Sequence, residues 1–582
     1  MARSKLPILA QYLRPHWKGA AGGVVALLLV NCLGIFIPLI LRNGVDQLQE
    51  TFSYGAVIRY ALLIAGLASG MWVVRMLSRI WLFGVGRQVE FDLKQRIFSH
   101  LLGMEPAYFV DNTPGDLISR ATSDVDNIRR LLGFAVLSLA NTIFAYALTL
   151  PVMLSISVQL TLASLAIYPA MFFMVHLFSD RLRQQQLDVQ QRTSDLSDLI
   201  QEDISGMSLI KIYAQEENER RAFADRNQKL LTANLRLART RTTLFPLLGG
   251  LASISLLVLL WLGAGAIANN TLSVGDFIAL LLYVERLVFP TALLGFTITA
   301  YQRGEVSIDR VEHILQEVPK IRDAHHAIPL PKEEVRGWVS AHHLTFTYPG
   351  AEAPALQNVE FTIKPGETIA LVGPIGVGKS TLANALPRLL NVAPNQLFVD
   401  GYDITQIRLR DLRAAIAYVP QESYLFSTTI KNNVRYGNPV AELDEVELAA
   451  KQAQIHPEIL NFPQQYKTIV GERGITLSGG QRQRTALSRA LLVDAPILIL
   501  DDALSSVDNQ TATQILQNLK TGTQRKTVLF ITHQMSAAAI ADRILVMDQG
   551  TIVQQGNHEE LLSQGGLYQE LWEQHTLEQV LQ

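Results

Sequence analysis

Long uncharged stretches alternate with charged ones through the first 300 residues of the chain, and from about residue 335 shorter apolar runs take over. Gly19 to Leu41 carries no charge and is long enough to cross a bilayer as one helix. Tyr60 to Val74 begins a second such run, Leu131 to Phe178 holds two with a turn near Ser155–Thr161, Thr242–Val274 supplies a fifth, and Phe277–Tyr301, apolar but for Glu285 and Arg286, a sixth. The pattern predicts six spans, at about 19–41, 57–84, 131–154, 159–179, 243–268 and 277–301. The first run is too long and too far into the chain to be a cleaved signal peptide.

Between these spans, the stretches 85–130 and 179–241 place apolar residues at helical spacing among charges. They predict long helical extensions beyond the membrane, each reversing at a short transverse segment, near 112–120 ("NTPGDLISR") and near 203–211 ("DISGMSLIK"). Both stretches are rich in Arg and Lys, and Arg3, Lys5, Arg14 and Lys18 precede the first span, whereas the turns near 155–161 and 268–276 carry no basic residue. The bias puts the N-terminus, both long connections and everything after residue 301 in the cytoplasm. The glycosylation-like "NNT" at Asn269–Thr271 is a short pattern that chance supplies often.

Composition sharpens this picture. The chain has 582 residues, 49% hydrophobic and 18% charged, with a mean hydropathy of +0.19, too apolar for a soluble protein of that length. A net charge of −2 gives no electrostatic footprint for nucleic acid. The single cysteine, Cys32, sits in an apolar run and excludes a disulfide framework or a cysteine-based metal cluster.

The polar, proline-containing stretch 317–337 marks a boundary, giving a membrane domain at 1–320, a linker at 321–334 and a second domain at 335–582. In that second domain the strand-like runs "TIALVG", "AIAYVP", "PILIL", "TVLFIT" and "RILVMD" alternate with helical stretches, the mark of an α/β fold with a mainly parallel sheet. "GPIGVGKST" follows the first of them: Gly373, Pro374, Ile375, Gly376, Val377, Gly378, Lys379, Ser380 and Thr381. Such a loop between strand and helix turns its backbone N–H groups to phosphate oxygens, with Lys379 on the β- and γ-phosphates and the Ser380 hydroxyl on Mg²⁺. Tyr348, about twenty-five residues upstream, is placed to stack on a base. Gln421 and His533 end two further strands, at the sheet edge where ligands bind in such folds. "PILILDD" delivers Asp501 and Asp502 to the same edge, one acid for the metal and one for water, and aspartate rather than glutamate stands second. "LSGGQRQR" offers the Ser478 hydroxyl and the Gly479 and Gly480 N–H groups at a second helix N-terminus. Two anion-binding termini in one domain make sense if one serves a nucleotide held by another subunit.

The ordered set "GPIGVGKST", "VPQ", "GERG", "LSGGQ", "LILDD", "SSVD" and "ITH" resembles that of ATP-binding cassette exporter half-transporters, and the likeness extends from end to end. It implies ATP and Mg²⁺ as cofactors, with Tyr348 on adenine, Gln421 coupling the Mg²⁺ site to the membrane domain, Asp501 holding Mg²⁺ through water and His533 on the γ-phosphate. It implies that Ser478, Gly479, Gly480 and Gln481 close on the partner's ATP, that Asp508 lies in the loop between two sites, and that the transverse segments are coupling helices. It also implies a multi-pass protein of the bacterial inner membrane that works as a dimer of half-transporters. The altered Asp502 beside an intact "LSGGQ", together with the ending "LYQELWEQHTLEQVLQ", resembles the degenerate-site subunit of bacterial heterodimeric exporters and favours a heterodimer, with a homodimer left open.

Inside the membrane half, Arg75 and Arg79 share a helix face, and Glu285 and Arg286 interrupt the last span. Glu285 is a candidate for lining a transport pathway, because charges at that depth usually face a cavity. Pro290 predicts a kink in the last helix. The function expected is ATP-driven export, or lipid flipping, of a small hydrophobic or lipid substrate. The alternative is a channel or regulator gated by the same cassette, against which the chain shows no long regulatory insert.

Overall fold

The computed structural model describes residues 6–521 and 525–581. Arg3 and Lys5, used in the topology argument above, and Gln582 of the tail lie outside the described residues. The residues divide into two compact units, Met1–Leu102 with Thr113–Glu317, and Gly103–Asn112 with Val318–Gln582.

Six helical runs of the first unit are long and apolar enough to cross a membrane: α1 (Pro7–Glu50), α2 (Tyr54–Leu101), α4 (Pro114–Ile156), α5 (Val158–Ser205), α7 (Glu216–Ala268) and α8 (Val274–Gln316). They outrun the predicted spans because the charged flanks keep helical spacing. The two short turns fall as expected: Ser157 caps α5 by accepting from Leu160 N (3.3 Å), and Ser273 and Asp276 form a reciprocal capping box at the start of α8. The last helix continues through Pro290.

Two short helices stand near the places where transverse segments were expected, α3 (Pro106–Asp111) and α6 (Met207–Ile212). The second lies where the sequence places it. The first lies ahead of 112–120, since Pro114 opens α4 instead. Proline at a first helical position costs no hydrogen bond, so Pro106 and Pro114 each start a helix and the break falls between them. The segment Gly103–Asn112 belongs with the second unit, where Glu105 accepts a hydrogen bond from Lys320 N (3.1 Å).

Small residues set the helix spacing in the first unit. A Cβ on Gly86 would meet Arg129 O, one on Gly304 the Leu131 side chain, and one on Gly295 the Val175 side chain. At the far end of α1, the Asp46 carboxylate accepts from Ser273 Oγ and Gly275 N (2.8 Å each), and Arg42 pairs with Asp276 at 2.7 Å. In the apolar interior, Arg286 Nη2 donates to Asn31 O (2.9 Å) and Asn31 donates to Asn141 Oδ1 (3.1 Å). Gly34 makes room for that guanidinium.

The second unit holds two sheets. A four-stranded antiparallel one has the order β2-β1-β4-β5, from β1 (Val339–Phe346), β2 (Leu356–Ile363), β4 (Leu397–Val399) and β5 (Tyr402–Asp403). The six-stranded one has the order β10-β9-β3-β8-β7-β6, from β3 (Thr368–Val372), β6 (Ile416–Val419), β7 (Ile497–Asp501), β8 (Thr527–Ile531), β9 (Arg543–Asp548) and β10 (Thr551–Gly556). Its five predicted strands are parallel and buried on both faces, which is why each reads as an unbroken apolar run. The antiparallel sheet is the part not anticipated: polar residues interrupt its strands, as in "VSAHHLTF".

Candidate nucleotide site

Four of the parallel strands end at one place. β3 runs into the glycine-rich loop, β6 into Gln421, β7 into Asp501 and Asp502, and β8 into His533. Crossovers packed on the sheet faces leave the carboxyl edge free for loops, and there the chain forms a pocket of about 400 Å³. Its wall includes Tyr348, Lys379, Gln421, Asp501, Asp502 and His533.

The loop's conformation depends on its glycines. Gly376 and Gly378 have φ of +86° and +100°, which residues with a Cβ rarely adopt, and a Cβ on Gly378 would strike Ala355 O. Ile375, Gly376, Gly378, Ser380 and Thr381 also line the pocket, whereas the Val377 side chain packs inward on the apolar core. Gly373 and Pro374 turn their carbonyls to Lys379, whose Nζ donates at 2.8 and 2.6 Å. Burial lowers the pKa of that ammonium, against the pull of Asp502 and Asp501. Tyr348 sits at the rim, half-exposed, its hydroxyl 3.2 Å from Thr381 Oγ1 and its ring edge-on to Phe346.

Ser380, the second residue of α9 (Lys379–Ala385), donates to Asp501 Oδ1 at 2.9 Å. The Tyr418 hydroxyl lies 3.2 Å from Asp501 Oδ2 and 2.9 Å from Asn384 Oδ1, its one proton shared between the two acceptors. Burial pushes the Asp501 carboxyl up, while these donors and Lys379 oppose it. The Tyr418 phenol is itself held protonated by burial and by Asp501. Neither Tyr418 nor Asn384 stood out in the sequence, because only the fold brings them to the aspartate. A hydroxyl, a carboxylate and the Gln421 amide on one wall are the oxygen donors that Mg²⁺ prefers. Among the described residues no cluster of three or more His, Cys, Asp or Glu stands ready to hold a metal. That too suits Mg²⁺, which commonly takes one or two carboxylates and fills its shell from water and phosphate.

Asp502 has φ of +48°, a left-handed conformation that Asp tolerates better than most residues. Its backbone is held on both sides, N–H to Ile531 O (3.1 Å) and C=O from Ser505 Oγ (2.9 Å). Burial raises its pKa, with His533 opposing and Asp501 adding to the rise. Desolvation by the pocket wall and the nearby Lys379 ammonium lower the pKa of His533.

The signature residues stand elsewhere. Ser478 caps α10 (Gly479–Val493), accepting from Gln481 N (3.2 Å) while its own N–H donates to Gln481 Oε1 (3.0 Å). Ser478, Gly479, Gly480 and Gln481 are absent from the pocket wall. A Cβ on Gly480 would meet Ser506 O, so this glycine also lets the 505–508 loop approach. Gln483 ties that loop down, donating to Ser505 Oγ (2.9 Å) and accepting from Ser506 N (2.8 Å). Asp508 caps α11 (Asn509–Thr521) through Thr511 N at 2.9 Å, and that bond keeps its pKa low. In the membrane unit, Glu285 is exposed, whereas its neighbour Arg286 is the one tied to Asn31.

Comparison with known proteins agrees with this geometry. Residues 21–291 match the family described as "ABC transporter transmembrane region" and residues 356–505 the family "ABC transporter". A "Multidrug resistance-like ATP-binding protein MdlA" of Escherichia coli is 34% identical over 98% of this chain and 97% of its own. A "Probable multidrug resistance ABC transporter ATP-binding/permease protein YheI" of Bacillus subtilis is 32% identical over 99% and 98%. Among solved structures, that of a bacterial Atm1-family ABC exporter with ATP bound superposes with a TM-score of 0.78 at 26% identity, over 97% of this chain and 99% of that one.

Proposed function

The chain belongs to the ATP-binding cassette exporters as a half-transporter, an integral membrane ATPase, and from that premise we propose that it pairs with a different half-transporter and keeps a slow ATP site of its own. The observation that carries the proposal is Asp502. A glutamate there would carry its carboxylate one methylene further toward the attacking water, and the aspartate falls short by roughly 1 Å. A misplacement of that size can cost about a hundredfold in rate. Local backbone movement could restore the reach, but the hydrogen bonds from Asp502 N to Ile531 O and from Ser505 Oγ to Asp502 O oppose it.

The rest of the machinery follows from the pocket. Tyr348 receives the adenine, and loop N–H groups and Lys379 take the phosphates. When bound, Mg²⁺ would supply charge neutralisation on the phosphates; Ser380, Asp501 and Gln421 would hold it, and Tyr418, itself in contact with Asn384, orients Asp501. His533, which also lines the pocket, bonds the γ-phosphate. Ser478 to Gln481 close on the partner's nucleotide, a role supported by their place outside this chain's own pocket. The exposed Met207, Leu209, Ile212 and Tyr213 of α6 and the turn after it give a second subunit an apolar surface to cover. The exported molecule is hydrophobic or lipid-like, the signature faces the cytoplasm, and the membrane is the bacterial inner membrane.

The test is the ATPase activity of this chain purified alone in lipid. Slow turnover that Asp502→Glu raises supports the reading. Robust turnover that Asp502→Glu leaves unchanged overturns it.

A further inference from the structure

The membrane unit contains a cavity of about 1220 Å³, more than the roughly 300–1,000 Å³ of most small-molecule sites. Five arginines line it: Arg129, Arg130, Arg183, Arg241 and Arg303. They come from α4, α5, α7 and α8, and no Asp or Glu is among the lining residues. Arg129 and Arg130 are paired with Asp126 (2.6 and 2.7 Å), and Arg129 also approaches Glu90 (3.4 Å). Among the described residues Arg183, Arg241 and Arg303 have no acidic partner, and the nearby Asp180 on α5 is approached by His176 at 3.9 Å. Ser179, on the same wall, has a buried hydroxyl with no hydrogen-bond partner.

Leu237 and Ala238 line the wall on the charged side of Arg241, but its large apolar side chains lie mostly on the membrane side of the arginines. Along the chain, Arg130 precedes the uncharged run from Leu131, Arg241 precedes the one from Thr242, and Arg303 is the first charge after Arg286. Phe134, Leu244 and Phe296, which line the cavity with Phe83, each lie three to seven residues on the uncharged side of these arginines. A wide π-type turn at Leu131–Ala135 reaims the wall between Arg130 and Phe134, and such turns are frequent at functional sites. Basic residues at a helix's membrane boundary are ordinary. Convergence from four helices on one concavity, with three guanidinium groups unpaired and an apolar floor beside them, is not explained by that rule.

We propose that this cavity binds an anionic amphiphile, a molecule with a carboxylate or phosphate group on an apolar body, its head on Arg183, Arg241 and Arg303 and its tail against the phenylalanines. Guanidinium forks match the oxygens of both headgroups. The proposal deepens the exporter reading by naming the charge class of its substrate. Its test reads binding without turnover, so a failure of ATP-driven export leaves it untouched.

The full chain in phosphatidylcholine nanodiscs is titrated with three fluorescent probes sharing one C16 chain and ending in carboxylate, phosphate or trimethylammonium. The anionic probes are expected to bind at least tenfold more tightly than the cationic one. The Arg183→Gln, Arg241→Gln, Arg303→Gln triple variant should weaken the anionic probes about tenfold or more. The corresponding triple lysine variant keeps the charge and should recover most of the affinity, which protects the test against a glutamine variant that fails to fold. Competition by added phosphatidylglycerol identifies a bilayer lipid as the occupant, and absence of competition a dissolved amphiphile. Equal binding of all three probes, or anionic binding that neither variant alters, overturns the proposal.

Discussion

At the residue scale the proposed phosphate-side chemistry rests on Lys379, whose ammonium is held by loop carbonyls and is partly desolvated. Deleting a preorganised cation at a transferring phosphate costs about a hundredfold or more. Lys379→Ala should therefore abolish ATP turnover in a transporter built only from this chain; near wild-type phosphate release would contradict the assignment. Asp502 brings two demands into conflict. Glutamate has the longer reach, yet at φ +48° it is a poorer occupant than aspartate by about 1 kcal/mol. Asp502→Glu should thus raise turnover while lowering the unfolding temperature of the protein, and a scan in which both stay at wild-type values would refute that trade. Glu285 is exposed and its neighbour Arg286 is spoken for, so Glu285→Gln should alter transport or substrate preference while assembly survives. Normal transport across a broad substrate panel would make the residue structural. The sequence disclosed Lys379, Asp501 and His533 because strand, loop and helix signals flank them. It hid Tyr418, Asn384 and Gln483, which are ordinary residue types until tertiary contacts place Tyr418 on Asp501, Asn384 on Tyr418 and Gln483 on the 505–508 loop.

Elements were legible to the extent that one physical rule governs them. Uncharged runs marked the spans, since charges are costly in hydrocarbon, and unbroken apolar runs marked the parallel strands. The antiparallel sheet escaped because its polar outer face breaks the alternation, and the first transverse segment was displaced because two prolines compete to start helices there. The clamp joining α1 to α8 was invisible for another reason: Asp46 and Gly275 are more than two hundred residues apart. Asp46 takes up a helix-terminal N–H and a hydroxyl at once, and a Cβ on Gly275 would collide with Arg42 O. Asp46→Ala removes two bonds to a charged acceptor, worth about 3 kcal/mol or more together. The expected result is a lower unfolding temperature for Asp46→Ala than for Asp46→Asn, which keeps an acceptor oxygen. Identical unfolding temperatures for the two variants would show that the carboxylate carries no load there.

At the scale of the whole molecule, the two surfaces of the nucleotide-binding domain proposed to bind anions are separate. The pocket holding Lys379 and Asp502 has the altered acid, and the surface holding Ser478 keeps every signature residue. In a pair of unlike halves, this chain's pocket would bind ATP and turn it over slowly, while its Ser478 surface would complete the partner's faster site. The two surfaces should then differ in their weight in the pair's activity. Ser478→Arg fills the anion-binding terminus of α10 with a long side chain and should remove most of the ATPase of the pair, since it disables the fast site. Lys379→Ala strikes the slow site and should leave the larger share. In a homodimer both substitutions fall on both sites, and each should abolish turnover. Steady-state ATPase of the purified pair, with each substitution carried only by this chain, decides between these arrangements. A Lys379→Ala loss equal to or greater than the Ser478→Arg loss would remove the asymmetry on which the slow-site reading depends.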